Sequence, residues 1–107
     1  MTAKLTEAEF SRHLNTKFRV RHDAPESFEL ELVEVKGRPS GPHEQQGMER
    51  FSAFFRGPAH AQLRQQTVPL AHEQMGDFDI FLVPVGRDAN GLLYEAVFNY
   101  FKEEQKP

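Results

Sequence analysis

Cysteine is absent from the 107 residues, which excludes disulfide staples and thiolate zinc centres. That absence suits a reducing compartment and is equally compatible with export. No apolar run approaches the roughly twenty residues that cross a bilayer, so no membrane insertion is expected. The opening residues MTAKLTEAEF lack the apolar core of a secretory signal and read as part of the fold. A cytoplasmic location follows as the simplest expectation, with a non-classical export route left open. A basic excess is missing too: sixteen acids stand against thirteen bases, a net charge of −3. Sequence-independent nucleic-acid binding needs a basic field, so no nucleic-acid partner is expected.

What the chain has instead is phenylalanine. Its apolar fraction is 38%, and ten phenylalanines compensate for that modest figure, since each aromatic ring buries roughly 150–250 Å². One domain over residues 1–107 is expected, with no internal repeat and no boundary.

The stretch 77–101 organises the rest. Phe78 to Val85 is apolar at all but one position, the pattern of a strand covered on both faces. Residues 86–91 form a turn, and Asn90-Gly91 suggests a hairpin with positive φ. Tyr94, Ala96, Phe98 and Tyr100 then share one parity, the period of a half-exposed strand.

Earlier segments supply partners. Thr6 followed by Glu9 forms a capping box, with Leu5 and Phe10 in hydrophobic-staple positions. A helix over 5–14 is predicted, with Phe10 and Leu14 on one side and Asn15 as its left-handed terminator. Residues 17–22 alternate, Phe18 and Val20 inward and Arg19 and Arg21 outward. In 28–35 the inward parity switches at Leu32-Val33, which predicts a β-bulge or a bend. Residues 36–49, rich in glycine and proline, read as a long loop. Phe51, Ala53 and Phe55 share a face, with Phe54 and Arg56 on the other. Pro69 and Pro84 argue for edge, bulge or strand-end positions. Residues 102–107 read as a charged, frayed tail. The sum is a mainly β body over 17–101: a small antiparallel barrel or two-layer sandwich of about six strands with one short N-terminal helix.

No constellation points to catalysis, a metal or a cofactor. The five histidines (His13, His22, His43, His60 and His72) show no mutual spacing suited to a metal, and their polar surroundings predict solvated rings. No serine sits in a nucleophile elbow. Glu29 and Glu31 share a parity, as an acid–base pair would, but a cross-strand ladder with Arg19 and Arg21 explains them more simply. The glycines near 86–91 lack the following helix of a phosphate loop.

The steps Phe51-Ser52-Ala53-Phe54-Phe55-Arg56-Gly57-Pro58, Phe81-Leu82-Val83-Pro84-Val85-Gly86 and Tyr94-Glu95-Ala96-Val97-Phe98-Asn99 resemble a family of small bacterial domains of unknown function. LTEAEF and FELELVEV extend the resemblance over nearly the whole chain. Some relatives are encoded beside proteins resembling phage tail-collar or tail-fibre components, which implies an accessory or structural role in assembling a fibre. The expected function is thus a non-enzymatic protein-interaction module with a protein partner and no cofactor. Phe54 and Arg56 are its candidate contacts, and Phe54→Ala is expected to weaken binding rather than folding. The other reading is a small ligand-binding barrel or minor enzyme with a pocket under loop 36–49.

Overall fold

The computed structural model describes residues 5–21, 29–37, 48–60 and 62–101. The expectations for His22, Phe28, His43, the middle of loop 36–49 and the tail lie outside them, as does the side chain of Tyr100.

Chain order is α1 (Glu7–Arg12), β1 (Lys17–Val20), β2 (Glu29–Gly37), β3 (Met48–Gly57), β4 (Gln66–His72), β5 (Gly76–Asp88) and β6 (Gly91–Phe101). All strand pairs are antiparallel, in the order β1-β2-β3-β6-β5-β4, and β1 closes the ring by pairing with both β2 and β4. Alternation drives the closure. Phe18, Leu30, Phe51, Phe55, Leu70 and Tyr94 point inward with no exposed surface, and an open sheet would leave that face in water. Two bulges help the sheet curl. One lies in β2 between Leu32 and Glu34, where the parity switch predicts it; the other lies in β5 between Pro84 and Gly86.

The ring is uneven. β5 and β6 are laddered only from Val83↔Glu95 to Asp88↔Gly91. The first half of β5 pairs with β4, and the far half of β6 pairs with β3. This leaves a seam between the two strands, at the end of the barrel that α1 fills.

Helix α1 is shorter than predicted. Thr6 Oγ1 accepts the Glu9 amide at 3.1 Å, as the capping signal requires, while the Glu9 carboxylate turns towards Arg12 at 3.8 Å. The helix closes at Arg12, Asn15 takes the left-handed conformation at φ 67°, and the Asn15 amide donates to the Leu32 carbonyl at 2.7 Å. With the last turn gone, the four-residue spacing from Phe10 fails. Leu14 is 37% exposed, and His13 takes the inward place.

Two further expectations are corrected, for β5 and for Asn90. β5 is not covered on both faces, since Phe81 is 50% exposed and Val85 47%. Pro69 does lie at a local edge: β4 pairs with β5 along its length, but its ladder with β1 stops at Leu70. The Pro69 carbonyl accepts the Arg21 amide beyond the last β1 pair, Val20↔Leu70, so the missing donor falls where β1 runs out. Asn90 has no positive φ; the tight turn is Ala89-Asn90, between Asp88 and Gly91.

The end of the barrel opposite α1 is capped by Leu63, whose buried amide donates to the Tyr94 hydroxyl at 2.8 Å. Tyr94→Phe leaves that amide without its partner. It is expected to cost about 1–3 kcal/mol in urea denaturation. A loss below about 0.5 kcal/mol would mean that the amide finds another acceptor. Among the described residues, no helix is long and apolar enough to cross a membrane.

Candidate functional site

The sequence-predicted contacts, Phe54 and Arg56, sit two positions apart on the outward face of β3. The strand register aligns Glu34, Phe54, Glu95 and Val83 in one row across four strands. Phe54 is half-buried in that row, and Ser52 beside it donates to Glu95 at 2.7 Å. Arg56 does not present a free charge. Its Nη2 donates to Asp88 Oδ2 at 2.7 Å, and Asp88 Oδ1 also accepts the Asn90 amide at 2.9 Å. The hydrogen bond from Arg56, then that from Asn90, holds the Asp88 carboxyl below the usual carboxylate range, and Asp88 raises Arg56 in turn. The pair fastens the β5–β6 turn to β3.

The exposed apolar groups lie further along the same outer wall. Phe81 and Val97, the latter 47% exposed, stand on the two strands that border the seam. Sequence reasoning missed Phe81 because an apolar run reads as buried on both sides, although its outward parity follows once Ile80 and Leu82 are inward. Val97 was already legible on the outward parity of its strand, beside Glu95 and Asn99.

A second arrangement was invisible to spacing. The fold brings His13, at the end of α1, against His72, at the end of β4, with ring centroids 4.7 Å apart. Both are more than nine-tenths buried, against the expectation of solvated rings. The Gln74 and Met75 amides each donate to His72 Nδ1 at 3.0 Å. A nitrogen that accepts two hydrogens carries none of its own, so the neutral ring bears its hydrogen on Nε2 and donates to Thr16 Oγ1 at 3.0 Å. The Thr16 hydroxyl passes its own hydrogen to the His13 carbonyl at 2.6 Å. Burial pushes the His72 imidazole below its ordinary value, the neighbouring His13 adds to that, and Glu73 opposes it.

These groups floor a half-open hollow of about 540 Å³, rimmed by Lys17, Arg19, Glu29 and Asp77. It lies at the β4–β5 turn; the pocket expected under loop 36–49 falls largely outside the described residues. Two imidazoles fall short of a zinc ligand set, and among the described residues no group of three or more His, Cys, Asp or Glu is placed to hold a metal. The acids Glu29 and Glu31 stand opposite Arg19 and Lys17. The cross-strand ladder is therefore offset from the expected one, because Arg21 lies past the end of β1 and approaches Asp77 at 3.7 Å.

The sequence profile described as Domain of unknown function (DUF6916) matches residues 5–98, and the chain belongs to that family. No curated protein and no solved structure matches it.

Proposed function

We propose that the domain is a non-enzymatic protein-interaction module, accessory to the assembly of a fibre-forming or phage-tail-like surface structure. Its docking face is the outer wall at β3, β6 and β5. One observation carries this reading: a barrel that hides Phe10, Phe18, Phe51 and Phe55 completely leaves Phe81 and Val97 in water beside an unladdered seam. Unpaired strand edges take up an extended partner segment by backbone pairing, and flanking apolar side chains select it. Phe54, Val83 and Leu93 extend that face in the half-buried rows alongside. The interior supports the same reading, since side chains fill it as they do in small barrels.

The test is capture of a stoichiometric partner from the native host with the wild-type domain and with Phe81→Glu. Capture is expected to fall at least about tenfold in the variant, the scale of losing one apolar anchor. Its Tm should shift by no more than a few degrees, as for an exposed position. Equal capture by both proteins would remove this face from consideration. The small-ligand reading rests on the His13–His72 hollow, and native mass spectrometry showing a co-purified small molecule would favour it.

A further inference from the structure

We propose that His72 is an acid-operated latch that holds the β4–β5 turn closed while its ring is neutral and opens it on protonation. The latch rests on hydrogen-bond direction. His72 Nδ1 faces two backbone N–H groups, from Gln74 and Met75, and no acceptor. A proton there would point at two donors, so the ring keeps its contacts in one charge state only. The other nitrogen leads through Thr16 to the carbonyl of His13. One imidazole thus ties the β4–β5 turn to the chain leaving α1.

His13 lacks this constraint. Its Nδ1 donates to the Glu9 carbonyl at 2.9 Å, and its Nε2 meets the Gln74 side-chain amide at 3.0 Å. The NH₂ end of that amide complements a neutral ring and the oxygen end a protonated one, so rotating it serves both states. A proton arriving at His72 Nδ1 has no such alternative and must break the latch. The His13 ring, 4.7 Å away, adds to the lowering of the His72 value.

Other groups face the ring. Phe18, with its centroid 4.3 Å away, favours a cation over its face. From the rim, Lys17 and Arg19 on β1 oppose a further positive charge, while Glu29 on β2, Glu73 in the turn and Asp77 on β5 favour one. All five rim charges are exposed and act through water-screened fields, whereas the two amides touch the ring. The direct contacts decide the outcome. Because the folded ring sits below the ordinary value of 6.5, the unfolded chain takes up the proton first. The latch is at full strength above about pH 6.5 and is lost as pH falls through the lowered folded value.

The experiment is site-resolved amide exchange on the full domain from about pH 8 to about pH 5, the range over which histidine changes charge, corrected for intrinsic rates. Protection at Gln74 and Met75 should fall about tenfold, the scale of one or two lost hydrogen bonds, while Ala53 and Tyr94 stay level. His72→Asn supplies a non-titrating acceptor, since an Asn carbonyl takes the amides two and three residues on. That variant should keep the turn protected and lose the pH response. Level protection in the wild type, or an equal fall in His72→Asn, overturns the latch. Imidazole nitrogen shifts of the wild type near pH 8 provide a check that needs no variant: a hydrogen on His72 Nδ1 would also overturn it.

Discussion

Phe10→Ala is expected to remove about 3–5 kcal/mol of folding stability, a large share of the roughly 5–15 kcal/mol that a domain carries. The ring has no exposed surface and lies among Phe18, Phe51, Phe55, Phe78 and Phe98, at centroid distances from 5.4 to 6.4 Å. Those five rings come from four different strands. Removing it opens a cavity that no single neighbour can fill, because each is fixed by its own strand. The loss is also topological, since Phe10 fills the end of the barrel where β5 and β6 lack a ladder. A two-turn helix does not persist unaided, so without Phe10 the segment loses its reason to dock. Urea denaturation should show the loss, with Leu14→Ala, at an exposed position of the same segment, within about 0.5 kcal/mol of wild type. A loss below about 1 kcal/mol for Phe10→Ala would mean that the helix leans on the body without plugging it.

The parts of this architecture that were legible in the sequence are those decided by neighbours along the chain. Thr6 caps three residues on, Asn15 takes the left-handed conformation two residues past the helix cap at His13, and the parity switch at Leu32-Val33 marks the bulge in β2. Alternation identified the inward rings of β1, β3 and β6. Illegible were the features set by contacts between distant segments. The exposure of Phe81 depends on which strands flank β5 and where their ladder stops. The helix end decided whether Leu14 or His13 would face inward, and an error of two residues there exchanged an apolar residue for a titratable one. The pairing of His13 with His72 carries no local signature, because it exists only once β1 has closed the ring beside β4. The ion pair of Arg56, a candidate partner contact, was illegible for a related reason. Its partner Asp88 looked like part of a six-residue turn, whereas it ends a strand paired with β6.

That turn yields the second large effect. Gly91→Ala is expected to cost about 2–4 kcal/mol, from a backbone region that suits only glycine and from overpacking. Gly91 has φ 149°, and a Cβ there would collide with the carbonyl oxygen of Gly57, with Arg56 Cγ next at 3.2 Å. The arginine stem can give way. The Gly57 carbonyl cannot, because it belongs to β3, which is laddered to β6 through Gly57↔Leu92. Two other glycines separate the causes. Gly76, at φ 86° with open space around it, carries conformational strain alone, so Gly76→Ala should cost about 1–2 kcal/mol. Gly86 has neither constraint, and Gly86→Ala should stay within about 0.5 kcal/mol. Urea midpoints of the three variants would then fall in the order Gly86→Ala, Gly76→Ala, Gly91→Ala, from most to least stable. Asn90→Ala belongs with the first of these, because Asn90 has no positive φ and serves the turn through its backbone amide to Asp88. Equal losses at Asn90 and Gly91 would instead restore a left-handed Asn-Gly turn and remove the close approach of β3 as the reason for glycine.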